Sequence, residues 1–124
     1  MNSNKINDKN KIKPIIVNIE TIPNSNDILF LENLCINQNL LAINVSYGGG
    51  CKYHEFLLYA ISLEKEICHL KLYHNSNNDV CKKEIRETVN FDLFPLKEKY
   101  KEKYNLQDKV IFLSLENKQI RYSL

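Results

Sequence analysis

The feature that most constrains the fold of this chain is a repeated alternation of apolar and polar residues in short runs. Successive side chains of a β-strand point to opposite faces, so a run that alternates in this way predicts a half-buried strand. The runs recur about every ten residues and are separated by turn-forming segments, a spacing that is typical of all-β sandwiches. The clearest runs are 41–47, 53–63, 67–74, 81–91, 110–115 and 119–124, and the weaker ones are 15–19 and 28–34.

One segment departs from this pattern. Leu96, Tyr100 and Tyr104 are four residues apart in a stretch rich in Lys and Glu, which predicts a short amphipathic helix near residues 95–104. The sequence therefore predicts an all-β, sandwich-like domain over residues 12–124, with seven or eight short antiparallel strands and this one helix. Residues 1–11 carry almost no apolar side chains and are expected to form a flexible arm. The inward positions of the runs predict a core of Ile43, Val45, Phe56, Leu58, Leu70, Leu72, Ile85, Val89, Phe91, Ile111 and Leu113.

Composition and charge exclude several classes of protein. The chain has 124 residues, of which 44% are hydrophobic and 26% are charged, as expected for one globular domain. Its net charge is only +2, and its lysines alternate with glutamates, so a nucleic-acid partner is not expected. No run approaches the roughly 18 apolar residues of a membrane span. The N-terminus has no apolar leader, which favours a cytoplasmic protein; the alternative is the cell envelope or secretion, if a leader precedes this sequence.

The three glycines of the chain, Gly48, Gly49 and Gly50, are adjacent and stand directly before Cys51. Glycine is needed where the backbone takes conformations that other residues avoid, or where two parts of a protein approach closely. Residues three apart on a regular strand face opposite sides. We therefore expect the glycines to form a turn that folds Cys51 back toward His54.

Two cysteines and two histidines are expected to meet at one end of a sheet. If the runs 53–63 and 67–74 form a hairpin, His54 lies opposite Asn75 and next to His74. A second hairpin, formed by the runs 67–74 and 81–91, places His74 opposite Cys81. The four candidate site residues are Cys51, His54, His74 and Cys81.

Three interpretations of this cluster follow from the residue types alone. Two thiolates and two imidazoles suit tetrahedral zinc, so the first is a zinc site formed by all four residues. The second is a disulfide between Cys51 and Cys81, with the histidines as hydrogen-bonded neighbours. The third is a pair of thiols without a function. Cys35 and Cys68 are expected to be buried free thiols, because Cys68 shares a strand face with leucines.

An enzyme would need more than this cluster provides. Cys51 and His54 resemble a nucleophile and its base, and a third, orienting group is missing unless Asp79 takes that role. We therefore expect no enzymatic activity. The best interpretation is a non-enzymatic binding or structural module, with zinc as the candidate cofactor and an unknown protein or small ligand as its partner. The alternative is a disulfide-stapled interaction domain of the envelope.

Three segments, 47–56, 74–81 and 91–96, resemble a family of small uncharacterised bacterial proteins. The shared patterns are Gly-Gly-x-Cys-x-x-His-x-Phe, a His followed by an Asn/Asp-rich turn and Cys, and Phe-Asp-Leu-x-Pro-Leu. The resemblance covers residues 40–96. It implies relatives in the envelope or secreted from the cell, many with lipoprotein-type leaders, and no established activity. It therefore marks positions in this chain rather than a function.

Overall fold

The computed structural model describes residues 11–17, 22–23, 27–106 and 109–124, with two four-stranded sheets and one helix among them. The elements are β1 (Lys13–Pro14), β2 (Phe30–Asn37), β3 (Leu40–Gly49), β4 (Glu55–Leu63), β5 (Ile67–Asn75), β6 (Lys83–Asp92), α1 (Phe94–Tyr104), β7 (Val110–Leu115) and β8 (Lys118–Ser123). The first sheet has the order β1-β6-β3-β2 and the second has the order β4-β5-β7-β8. The predicted β-sandwich with one short helix is thus confirmed. Residues 1–10 of the expected arm lie outside the described residues.

The core lies between the two sheets, and burial alternates along most of β3, β5 and β7 as side chains point inward and outward in turn. In β5 this alternation is complete: Cys68, Leu70, Leu72 and His74 are buried, and the residues between them are partly exposed. The predicted core residues are all buried except Ile85, which is partly buried. Large buried side chains that the predicted core did not include are Leu41, Leu93, Leu96, Tyr100, Leu115 and Tyr122.

Two of the strand pairings are parallel, whereas the sequence predicted antiparallel strands throughout. β1 runs parallel to β6, and β5 runs parallel to β7. Parallel neighbours need a long crossover connection, and here the chain between β5 and β7 contains β6 and α1. Alternation within a strand shows which side chains face inward, but it does not show which strand is the neighbour.

The first described segment passes from one sheet to the other. Lys13 and Pro14 pair with the end of β6, and Ile16 forms a single bridge to Tyr59 of β4. The backbone N–H of Ile16 donates to the carbonyl of Leu58, at 2.9 Å. Of the strand predicted at 15–19, the described residues 15–17 form only this bridge, because the chain changes sheets after the two residues of β1. Residues 18–21 lie outside the described residues.

The helix covers the end of the sandwich where β4 turns into β5. Leu96 and Tyr100 are buried against the core, and the Tyr100 hydroxyl donates to the backbone carbonyls of Glu64 and Ile67. Asn105 ends the helix in the left-handed conformation, with φ of 54°. In the part of the chain that the structure describes, no helix has the length and apolar character needed to cross a membrane.

Candidate functional site

The end of the sandwich opposite the helix is where two connections cross between the sheets. β3 leads to β4 through residues 50–54, and β5 leads to β6 through residues 76–82. Cys51 lies in the first connection and Cys81 in the second; the two form a disulfide, with Cα atoms 5.9 Å apart. We call residues 50–54 and 76–82 together the stapled end. Because each connection is anchored in both sheets, the disulfide helps to hold the sheets together at this end.

The predicted register was wrong about how the candidate residues come together. It placed β4, β5 and β6 side by side in one sheet, with His74 opposite Cys81. In the structure β6 pairs with β3 and β1 in the first sheet, and His74 lies opposite Phe56 of β4. His54 lies just before the start of β4. The cluster therefore forms across the gap between the two sheets.

Asp79 is the central hydrogen-bond acceptor of the stapled end. Its Oδ2 accepts from the backbone N–H groups of Gly50, Cys51 and Lys52, at 3.0, 3.2 and 3.1 Å. Its Oδ1 accepts from the N–H of Cys81, at 3.1 Å. Successive backbone N–H groups that point to one place form a nest that binds anions. Here the nest is filled by a carboxylate from the other connection, so Asp79 links the same two segments as the disulfide.

A hydrogen-bonded chain runs from Asp79 through His54 to His74. The His54 Nε2 atom lies 2.8 Å from Asp79 Oδ2, and its Nδ1 atom lies 2.8 Å from His74 Nε2. An ionised carboxylate only accepts hydrogen bonds, so His54 Nε2 carries a proton. When His54 is neutral, its Nδ1 is an acceptor, and His74 Nε2–H donates to it. The hydrogen bond from His54 holds the pKa of Asp79 well below its usual range, and backbone N–H groups add to this against the effect of burial.

Aromatic rings enclose the two histidines. Tyr47 of β3 stacks on His54, with ring centroids 4.3 Å apart. Phe56 of β4 stacks on His74 at 4.7 Å. The Tyr47 hydroxyl donates to Glu87 Oε2 on β6. The side chains of His54 and Asp79 are only 2% and 0% exposed, so this chain of polar groups is built into the core rather than open to solvent.

The three glycines differ in what their positions require. Gly48 and Gly49 are the last residues of β3, and Gly50 alone of the three has a positive φ, of 113°. A Cβ atom on Gly49 would lie 2.7 Å from His54 Nε2 and 2.8 Å from Asp79 Oδ2, whereas a Cβ atom on Gly48 would meet nothing within 4 Å. The expected turn therefore uses the backbone freedom of Gly50. Gly49 is needed because His54 and Asp79 pack directly against its backbone.

The structure does not support the four-residue zinc site. The sulfurs of Cys51 and Cys81 are bonded to each other, so neither is a thiolate, and the imidazole nitrogen that His54 would offer is bound to Asp79. Asp79 and the two sulfurs lie within 4.8 Å of one another, but disulfide sulfurs are poor ligands for zinc. The arrangement present is the disulfide alternative.

The other two cysteines differ from each other. Cys68 is buried, as expected, and burial raises the pKa of its thiol to about 12. Cys35 is exposed, which corrects the expectation that both thiols are buried. In its strand, β2, Leu34 and Ile36 are partly buried and Cys35 between them is exposed, so the thiol lies on the face that points away from the core.

Sequence reasoning considered Asp79 only as a possible orienting group and missed its main role. A signal for that role was present. Three glycines before a cysteine expose several backbone N–H groups that need an acceptor, and Asp79 lies two residues before the other cysteine of the predicted pair. Tyr47 was predicted to lie on a half-buried strand, but nothing in the sequence indicated that its ring would cover His54.

Stability is expected to fall in two steps as the pH is lowered. Burial, followed by the nearby His54, lowers the pKa of His74 below its ordinary value of 6.5, while the backbone at Asp27 and Ile28 acts in the opposite direction. The unfolded chain therefore takes up a proton at this residue before the folded chain does, and stability decreases as the pH falls below about 6.5. The lowered pKa of Asp79 adds a second decrease below its ordinary value of 3.8.

Thermal unfolding between pH 8 and pH 3 measures this dependence. The melting temperature should be nearly constant above pH 7 and should decrease by a few degrees between pH 6.5 and pH 5. In the His74→Gln variant that first decrease should be smaller, whereas His69→Gln, a change at a partly exposed histidine, should leave it unchanged. Equal pH profiles for the two variants would contradict the assignment to His74.

Comparison with known proteins gives one family and two solved structures. A sequence profile described as the NigD-like C-terminal β-sandwich domain matches residues 18–123. A crystal structure of a NigD-like immunity protein from Bacteroides caccae ATCC 43185 aligns with a TM-score of 0.65 and 15% identity, covering 90% of this chain and 59% of that one. A protein from Parabacteroides distasonis ATCC 8503, described as toxin-related, aligns with a TM-score of 0.49 and 17% identity, covering 89% of this chain and 60% of that one. Among curated proteins there is no match.

These identities are low, so the likeness to the solved structures shows the fold alone. The immunity protein is also longer, since this chain spans 59% of its length. The profile match carries the family relationship, because it extends over most of the chain and includes every residue of the stapled end.

Proposed function

This chain belongs to the family of NigD-like C-terminal β-sandwich domains, and from that premise we propose that it is a non-enzymatic, immunity-type module that acts by binding a protein partner. The solved relative described as an immunity protein supports this class of function, and a toxin is the kind of partner that such a protein would have. In this proposal the stapled end is a rigid part of the binding surface and not an active site.

The observation that carries this proposal is that the reactive groups of the stapled end are already bound to one another. Cys51 is in a disulfide and has no thiolate to act as a nucleophile. His54 and Asp79 are hydrogen bonded to each other, and their side chains are almost inaccessible. A general base must reach the proton that it removes from a substrate. These groups therefore support a structural role better than a catalytic one, and the oxidised domain is proposed to act without a metal.

We also propose that the protein works in an oxidising compartment, such as the cell envelope. Structural disulfides persist in such compartments and are rare in the cytoplasm, where thiols are kept reduced. The cytoplasmic location expected from the sequence is the competing prediction. Acid quenching of whole cells, followed by labelling of the free thiols in denaturant with a maleimide that adds mass, distinguishes the two; the denaturant is needed because Cys68 is buried. Two modified cysteines indicate the oxidised protein, and four indicate a reducing compartment.

Stoichiometry tests the proposed function. A toxin that kills a sensitive bacterial strain is mixed with increasing amounts of the purified domain, and survival is measured. A binding module should protect fully only near one domain per toxin molecule, because each complex removes one toxin. Full protection at one domain per hundred toxin molecules would show turnover and would contradict the non-enzymatic proposal. The control variant is Cys35→Ser, which changes an exposed thiol far from the stapled end in sequence. It should protect at the same stoichiometry as the wild-type domain.

A further inference from the structure

A groove of about 700 Å³ lies on the outer side of the stapled end. One wall is the connection at 50–54, and the other is the first described segment, at Lys11 and Lys13. Ile85 and Glu87 of β6 lie between these walls. A second, smaller hollow continues from it and shares Lys11, Lys13 and Glu87. The groove is therefore bordered by three separate parts of the chain, which only the folded protein brings together.

The groove is positively charged. Three lysines line it, Lys11, Lys13 and Lys52, against one acidic residue, Glu87. Three positive charges and one negative charge give the lining of the groove a net charge of +2. Glu87 also accepts a hydrogen bond from Tyr47, and the stem of Lys83 lies beside Gly50, which adds a further lysine near the groove.

The wall at 50–54 is held in place before any ligand binds. Asp79 accepts hydrogen bonds from the backbone of Gly50, Cys51 and Lys52, and the disulfide fixes the same segment. The Asn77 side-chain amide donates to the carbonyl of Tyr53, at 2.6 Å. A partner that binds a fixed loop loses less conformational entropy than one that must order it. Tyr53 is 48% exposed, and tyrosine is enriched in protein interfaces relative to the rest of the surface.

We infer that this groove receives an acidic segment of a protein partner. Carboxylates of such a segment would meet the amines of Lys11 and Lys52, while apolar side chains of the segment would contact Tyr53 and Ile85. This inference rests on the proposed function, because it names the surface and the partner chemistry of the same module. An acidic peptide fits better than nucleic acid, since a phosphate backbone needs a longer row of cations than the three lysines of this groove.

A short acidic peptide is a direct probe of the groove. The probe is a fluorescein-labelled ten-residue peptide of alternating Glu and Leu, and binding is measured by fluorescence anisotropy at 20 mM and 200 mM NaCl. The wild-type protein should bind it, and binding should weaken severalfold at the higher salt concentration because exposed charges are screened. In the variant with Lys11→Glu and Lys52→Glu the affinity should fall at least tenfold. Lys13 is left unchanged because its amine donates to the carbonyl of Phe56.

The matched control reverses two charges at the opposite end of the sandwich. Lys101 and Lys109 are exposed there, so Lys101→Glu with Lys109→Glu changes the net charge equally and should reduce the affinity less than twofold. Equal losses in the two double variants would show attraction to net charge alone and would overturn the inference. Absence of binding at millimolar peptide would also overturn it. Tighter binding of a ten-nucleotide single-stranded DNA through the same lysines would assign the groove to nucleic acid instead.

The survival assay separates failure of this inference from failure of the proposed function. If the Lys11/Lys52 variant protects at the wild-type stoichiometry, the partner binds elsewhere, so the inference fails and the binding function stands. If the wild-type domain protects fully at far less than one domain per toxin molecule, the proposed function fails, whether or not the peptide binds. Loss of protection in this variant alone, with the control variant unaffected, would support both.

Discussion

Reduction of the Cys51–Cys81 disulfide is expected to lower the free energy of unfolding by about 3–4 kcal/mol. The bond joins residues separated by 30 positions, and the loss of unfolded-chain entropy for a loop of that length corresponds to about 3–4 kcal/mol at 25 °C. The same bond ties together both connections that cross between the sheets, so its loss also frees this end of the sandwich. Urea unfolding with and without a phosphine reductant measures the effect, and the Cys51→Ser, Cys81→Ser double variant should reproduce it.

The control for this experiment is Cys35→Ser, which should change stability by less than about 0.5 kcal/mol because the thiol is exposed. Thiol titration of the unfolded protein should give two thiols before reduction and four after it. A loss below about 1 kcal/mol would mean that the cross-link does not constrain the chain. Four thiols without reduction, together with one equivalent of zinc, would contradict the disulfide and support the zinc site instead.

The sequence was sufficient to predict that Cys51 and Cys81 would be close, but it did not predict the path of the chain that brings them together. Both the predicted and the observed arrangements place Cys51 after β3 and Cys81 before β6, near the ends of β4 and β5. The prediction treated the segment from Asn75 to Asp79 as a hairpin within one sheet, because it is short and rich in Asn and Asp. In the structure the chain crosses there to the other sheet. A short polar connection is compatible with both paths, since local turn propensity does not specify the sheet that the next strand joins.

The strands and the helix were predictable for a different reason. Their signals are local: period-two burial in β5, and the four-residue spacing of Leu96 and Tyr100 in α1. The parallel pairing of β5 with β7 depends on contacts between residues more than forty positions apart, such as Cys68 with Leu113. A single sequence carries little information about such pairings, because many registers bury the same alternating faces equally well.

The hydrogen-bonded series Asp79–His54–His74 could not be predicted from the sequence, for a related reason. Each of its hydrogen bonds joins residues from different connections or strands. The prediction grouped the histidines with the two cysteines, whereas their hydrogen bonds join them to each other and to Asp79, which was considered only as an orienting group for catalysis. A buried carboxylate needs several donors, and here they come from the backbone of 50–52. The glycine cluster therefore indicated an acceptor for backbone N–H groups rather than a metal.

Substitution of Gly49 by alanine is expected to lower the free energy of unfolding by about 3–5 kcal/mol. The added Cβ would lie 2.7 Å from His54 Nε2 and 2.8 Å from Asp79 Oδ2, so one of these atoms must move. Overpacking of a buried site costs about 1–3 kcal/mol, and loss of a hydrogen bond to a charged group adds about 1.5–3 kcal/mol. Neither partner can move freely, because the backbone at 50–52 holds Asp79 and the Tyr47 ring covers His54.

Gly48→Ala is the matched control, because it adds the same methyl group one residue earlier in the same strand. Its Cβ would meet nothing within 4 Å, so stability should change by less than about 1 kcal/mol. The two variants are compared by urea unfolding, and ¹⁵N NMR of the imidazole nitrogens reports whether His54 Nε2 still carries its proton in a strong hydrogen bond. If Gly49→Ala has wild-type stability and an unchanged His54 signal, His54 and Asp79 do not pack against this glycine. If both variants are equally destabilised, the loss comes from adding a methyl group to this end of β3 and not from contact with His54 and Asp79. A loss confined to Gly49→Ala would establish that the second glycine is required by the polar chain beneath it, and the first is not.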